Sequence, residues 1–145
     1  MVKIQLSQAT CVYDFMRVKL SDNPESLGYG KSLNVATLEV LVAEKIVAMA
    51  HAIERNRRNH REVDVFDLAS LLSAEAQLDI PRLRELVRRR VAQHGIDFPP
   101  NIFDATGREY IRHNYESLRE TTGPHFIPFE PAWDRVLKFI EHVRW

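Results

Sequence analysis

One stretch of apolar residues at helical spacing constrains the fold of this chain more than any other feature. Between Thr37 and Glu54, apolar side chains recur every three or four residues, which is the period of one face of an α-helix. They are Leu38, Val42, Ile46, Met49 and Ile53, with Leu41 widening the stripe. Thr37 is a favourable N-cap, and Glu39 suits the positive end of the helix dipole. The sequence therefore predicts a long helix that ends near Glu54 and faces a hydrophobic core.

Four further helices are predicted downstream. They begin at Asp64 and at residues 81, 105 and 132, and the last three end near 95, 120 and 143. Asp64 is expected to cap the second helix, after a polar connection over 55–62, and the predicted inward side chains are Phe66, Leu68, Leu71 and Leu72. Pro81 fits the first position of the third helix and Gly95 its C-cap. Three prolines within 121–131 exclude a regular helix there.

The first 35 residues have the pattern of β-structure instead. Val2–Ser7 and Met16–Leu20 alternate apolar and polar residues, Ser21–Lys31 reads as a loop, and Ser32–Val35 is a candidate short strand. Two strands alone are marginal in water. We therefore predict an α+β fold: a small N-terminal β element over 1–35, which needs further covering structure, and a domain of about five helices over 36–145.

Composition narrows the functional classes. Lysine plus arginine and aspartate plus glutamate both number 20 in 145 residues, so the net charge is zero and no whole-molecule field for nucleic acid exists. One cysteine excludes an intramolecular disulfide, and the six histidines lack the spacing of a zinc site, so no metal ligand is predicted. No apolar run reaches the length of a membrane span or of a signal peptide. We expect a soluble cytoplasmic protein.

The residues with the clearest chemical potential are Lys45, Asp64 and Asp67. Lys45 lies at the margin of the apolar face of the first helix, and the two aspartates lie one turn apart on the next. One interpretation is an interhelical salt bridge. The other is a phosphate clamp, in which the lysine neutralises phosphate charge and an aspartate orients the lysine or acts as a base. The sequence leaves both open.

Two groups of arginines could bind phosphate, because the planar guanidinium can donate to two oxygens at once. The first comprises Arg55, Arg57, Arg58 and Arg61, and the second Arg82, Arg84, Arg88, Arg89 and Arg90. Either a polynucleotide surface or solvated helix faces would explain them. In the second group, Glu85 is spaced to stabilise Arg88 or Arg89 along one helix.

The segments LEVLVAEKIVAM and REVDVFDLASLL resemble the signature lEellAeKl and RDlyDl of the AbiEii/AbiGii-type nucleotidyltransferases, toxins of type IV toxin–antitoxin systems. The resemblance aligns Lys45 and Asp64 with the Lys and first Asp of that signature, which implies a catalytic pair binding NTP phosphate. Asp67 aligns with the second Asp, and Arg58 and Arg61 become substrate-binding candidates. The family further implies Mg²⁺ in an active enzyme, a tRNA or other RNA acceptor, and an antitoxin as partner.

Two departures from the signature bear on activity. Val63 stands where the family carries a basic residue, with Arg61 two positions earlier, and Gln5 stands where the first strand often carries an acid. The Gly-Ser and Asp-x-Asp motifs of the nucleotidyltransferase lobe are absent as well. The chain thus resembles the C-terminal part of such an enzyme, inactive alone. The alternative is a non-catalytic module that pairs with a partner chain, an antitoxin or the missing N-terminal lobe.

Overall fold

The computed structural model describes residues 15–54, 61–74, 77–96, 105–143 and 145. Within them two strands precede six α-helices, five of which have eight or more residues. The elements are β1 (Phe15–Lys19), β2 (Ser32–Ala36), α1 (Leu38–Glu54), α2 (Glu62–Ser73), α3 (Ile80–His94), α4 (Ala105–Arg112), α5 (Leu118–Thr122) and α6 (Phe129–Val143). The predicted α+β class is confirmed. The division into units at residue 35 stays a prediction.

The two strands form an antiparallel hairpin. Met16 pairs with Val35 and Val18 with Leu33, and the backbone N–H of Leu20 donates to the carbonyl of Lys31 at 3.1 Å where the loop begins. The strand predicted at 16–20 begins and ends one residue earlier, and the strand predicted at 32–35 is one residue longer. The strand predicted at Val2–Ser7 lies outside the described residues.

Helix α1 runs through the centre of the core. Its fully buried side chains include Val42, Ile46 and Met49, as the apolar stripe predicts, and α1 packs mainly against α3 while α2 packs against α6. Leu41 does not widen the buried face, because it is 44% exposed; Val40 is buried instead. The α1 face that the sequence identified is therefore correct at Val42, Ile46 and Met49, and Val40 extends it in place of Leu41.

Helix α2 begins two residues before the predicted cap. Arg61 occupies the N-cap position without a side-chain capping bond, so Asp64 lies in the first turn. The buried residues are Val65, Leu68 and Ala69, with Glu62, and the predicted inward residues Phe66, Leu71 and Leu72 are only partly buried. The carboxylate of Asp64 is directed at α1 instead of at its own backbone, which explains why it does not cap.

Helix α3 begins and ends as its sequence indicates. Asp79 is the N-cap and accepts from the backbone N–H of Arg82 at 3.0 Å, and Pro81 is the second helical residue. Gly95 terminates the helix with φ of 62°, a left-handed conformation that glycine adopts without steric cost.

The predicted single helix over 105–120 is interrupted. Helix α4 ends at Arg112, and a 3₁₀ turn over Tyr115–Ser117 precedes α5. The interruption buries Tyr115 completely and lets its hydroxyl donate to the carbonyl of Ile127 at 3.0 Å. Helix α6 also begins three residues earlier than predicted, since Pro131 falls in the first turn, where its missing N–H breaks no helical bond.

We expect Gly95→Ala to lower the free energy of unfolding by about 1 kcal/mol, because an L side chain is strained in the left-handed region. Among the described residues, apart from the chain neighbours of Gly95 and the backbone of its own helix, no atom lies within 4 Å of an added Cβ, so crowding there does not contribute. Gly95→Asn is the control, since asparagine tolerates this conformation better. Urea unfolding of both variants measures the difference, and equal losses would contradict the explanation.

Candidate functional site

The ammonium of Lys45 joins α1 to α2. Its Nζ lies 2.6 Å from Asp67 Oδ2 and 3.2 Å from Asp64 Oδ1, and the lysine side chain is 23% exposed. Helix α1 places Lys45 one residue before the buried Ile46, at the margin of the apolar face. The structure thus brings together the three residues that the sequence singled out, in the arrangement of an interhelical salt bridge.

The two aspartates differ in their surroundings. Asp64 is 13% exposed and has both oxygens engaged, because Arg61 Nη1 lies 2.8 Å from Oδ2 while Lys45 contacts Oδ1. Asp67 is 40% exposed, and its ion pair is with Lys45. Asp64 is therefore the interior member of the network, and Asp67 is the member that faces solvent.

Burial and charge act against each other on these groups. For Lys45, burial lowers the pKa, but the hydrogen bond to Asp67 and the charges of both aspartates outweigh burial and raise it overall. For Asp64, burial raises the pKa more than the charges of Lys45 and Arg61 lower it. The lysine is consequently a firmly held cation, whereas Asp64 is charged at a cost that its two cationic partners offset in part.

The remaining sequence-predicted site residues fall in two places. Arg61 is part of the network through its ion pair with Asp64, while Val63 is 38% exposed. Arg58 and Gln5 lie outside the described residues. Glu62 was assigned to the polar connection, yet it is 6% exposed. Its spacing of three from Val65 was the available signal.

The residues present do not fit a magnesium site. Among the described residues, no group of three or more His, Cys, Asp or Glu side chains is placed to hold a metal ion. The oxygens of Asp64 already face an ammonium and a guanidinium, which would repel a divalent cation. Carboxylates for Mg²⁺ would have to come from elsewhere.

The arginines of the second group mostly have specific partners. Arg82 and Arg89 both pair with Glu85, and Arg90 pairs with Glu44 on α1. The Nε of Arg84 donates to the backbone carbonyl of Val143 at 2.5 Å.

In the part of the chain that is described, no helix combines the length and the apolar character needed to cross a membrane.

Lys45→Met should lower the free energy of unfolding by about 1–3 kcal/mol at neutral pH, because it leaves the nearly buried carboxylate of Asp64 without its α1 partner. A lysine whose pKa is raised by folding stabilises fully below its unfolded pKa, near 10.5, and loses that contribution as the pH rises through the folded value. The difference in unfolding free energy between wild type and Lys45→Met should therefore begin to shrink above the unfolded pKa, near 10.5. Urea unfolding of both proteins at a series of pH values measures this difference. A difference that stays constant as the pH rises well above 10.5 would contradict a stabilising role for the Lys45 charge.

Comparison with known proteins places this sequence in a family. Over residues 1–139 the chain matches the family described as nucleotidyl transferase AbiEii toxin, type IV TA system, and the match includes the segments that carry Lys45 and Asp64. No curated protein matches the chain. No solved structure matches it either. Because the family match covers nearly the whole sequence, the chain belongs to the AbiEii nucleotidyl transferase toxin family.

Proposed function

We propose that Lys45 binds the phosphates of an NTP, in a nucleotidyl transfer whose acceptor is tRNA or another RNA. Membership of the AbiEii family supports the reaction class. Phosphoryl and nucleotidyl transfer depend mainly on positioning and on charge stabilisation, both of which a fixed lysine can supply.

The observation that carries this proposal is the state of the Lys45 ammonium. An ammonium has three N–H donors, and Asp64 and Asp67 accept two of them. Within the described residues no third acceptor contacts it, so this donor can point to a phosphate oxygen, and the 23% exposure of the side chain gives a ligand access to it. The two aspartates hold the ammonium in place without satisfying it completely.

Asp64 fits the orienting role better than the role of a base. Both of its oxygens accept from cationic groups of the protein, so a substrate hydroxyl would have to compete with an ammonium or a guanidinium for either of them. Arg61 is held by the same carboxylate and would contact the substrate next to Lys45. Arg58 and the more exposed Asp67 complete the predicted substrate contacts.

Transfer itself needs groups that the described residues do not provide. Since these residues do not fit Mg²⁺, we assign no step to a metal ion, and an active assembly would draw its carboxylates from another part of the protein or from a partner. The described helices are thus a nucleotide-binding lobe that is inactive by itself.

Equilibrium dialysis with each of the four α-labelled NTPs tests the proposal. We expect saturable binding of at least one NTP, weakened about tenfold or more in Lys45→Ala, since one charge-assisted phosphate contact contributes roughly 1.5–3 kcal/mol. Lys138→Ala, which removes an exposed lysine of α6, is the matched control. Unchanged binding in Lys45→Ala, or no saturable binding by folded wild type, would contradict the proposal. Label transfer onto total tRNA is the second readout, and it should be absent without a partner.

A second candidate function, a module that pairs with a partner such as the antitoxin, rests on a different observation. One face of the hairpin carries five apolar side chains that are 39–51% exposed: Met16, Val18, Leu20, Leu33 and Val35. An apolar face of this kind on a two-stranded sheet is typical of a protein contact.

Sedimentation velocity over a concentration series tests the pairing function. We expect wild type to associate with itself or with co-expressed antitoxin, and the double variant Val18→Lys/Leu33→Lys to lose that association because it places charge in the apolar face. Asn34→Lys, which adds a charge to the opposite face, is the control and should behave as wild type. A wild type that stays monomeric with and without antitoxin would rule the pairing out.

A further inference from the structure

A stripe of arginines follows one face of α3. Pro81, Arg84, Glu85, Arg88 and Arg89 line an open groove of about 570 Å³. Their spacing of three, four, seven and eight residues places them on the same side of the helix, opposite the buried Leu83, Leu86 and Val87. Three of the five residues that line the groove are therefore arginines of one helix face.

The charge of this stripe is only partly neutralised. It contains three arginines and one glutamate, and Glu85 is shared between Arg89 and Arg82. Arg84 donates to a backbone carbonyl, which offsets none of its formal charge. Within the described chain, Arg88 has no carboxylate in salt-bridge contact and its side chain is exposed. The stripe keeps a net positive charge of two, from three arginines less one glutamate.

The composition of the stripe favours a phosphate backbone over a protein partner. Protein interfaces combine arginine with exposed aromatic residues and methionine, around a core that is more apolar than the rest of the surface. In the described structure, the large hydrophobic residues that are exposed lie on the hairpin, on α1 and on α2, and α3 contributes none. Guanidinium groups suit phosphate because they donate in a planar fork.

Two polar contacts fix α3 relative to the lysine site. Glu44, the neighbour of Lys45 in α1, pairs with Arg90 of α3, and Glu39 of α1 accepts from the backbone N–H of Asp79 at 3.0 Å. A polymer in the groove would thus be held on a helix that is tied to α1 at both ends of the stripe.

We propose that the α3 stripe of Arg84, Arg88 and Arg89 binds the sugar-phosphate backbone of a nucleic acid. The stripe would dock the acceptor of the proposed transfer, and to that extent it rests on the function proposed above. Arg84 is the fixed member, because the Val143 carbonyl holds it, and Arg88 and Arg89 are the exposed members.

Fluorescence anisotropy of a short labelled single-stranded RNA tests this proposal, with the same sequence as DNA and as duplex RNA in parallel. We expect Arg88→Glu/Arg89→Glu to weaken binding tenfold or more. Loss of two phosphate contacts should also reduce the slope of log affinity against log salt by about 1.4 for a single strand. Lys19→Glu/Lys31→Glu, in the exposed hairpin, makes the same charge change and should leave both values unchanged.

The outcomes separate this proposal from the function at Lys45. The proposal for the α3 stripe would be wrong if RNA bound wild type and the α3 double variant equally, or did not bind wild type at all. It would also be wrong if polyglutamate displaced the labelled RNA as well as unlabelled RNA does. NTP dialysis on the α3 variant reports on Lys45 alone and should match wild type. Lys45→Ala should in turn keep its RNA affinity. Comparison of the single-stranded RNA, DNA and duplex RNA probes shows whether the groove selects RNA or binds any phosphate backbone.

Discussion

The ion network of Lys45 with Asp64, Asp67 and Arg61 is the constraint on which the described structure most depends. It connects α1, the central helix of the core, with the first turn of α2, where no side-chain capping bond exists. Removing an ammonium from between two carboxylates costs more than an exposed ion pair is worth, because one of these carboxylates is nearly buried. The same contacts that hold the helices together also hold a lysine for which the described residues provide two acceptors and no third.

Structural and ligand-binding roles are therefore compatible at this site. A salt bridge that satisfied the lysine fully would leave nothing for a ligand, and a lysine without carboxylates would not be fixed. Asp64 supplies the fixed, interior contact, and Asp67 supplies a short contact in a partly exposed position. Under the proposed function, a phosphate would approach the exposed side of the ammonium while Asp64 kept its interior contact.

Local patterns in the sequence were sufficient for most of the fold. The stripe of α1 and the left-handed Gly95 follow from periodicity and from backbone sterics, so both are readable without the structure. The break after Arg112 is not, because the burial of Tyr115 depends on a carbonyl of Ile127, which is supplied by a later segment. For the site, adjacency of the helices made the Lys45–Asp64 contact predictable. The contacts of Arg90 and Arg84 were not predictable in this way, since their partners come from α1 and from the end of α6.

The central claim is that a nucleotide phosphate contacts the Lys45 ammonium while Asp64 holds it in place. Side-chain ¹⁵N-lysine NMR during an NTP titration measures this contact directly, with Lys45→Arg identifying the resonance. The account predicts a saturable shift of the Lys45 signal, with the exposed Lys138 unchanged. A Lys45 resonance that stays fixed while the folded protein is saturated with NTP would show that the lysine is only an interhelical link.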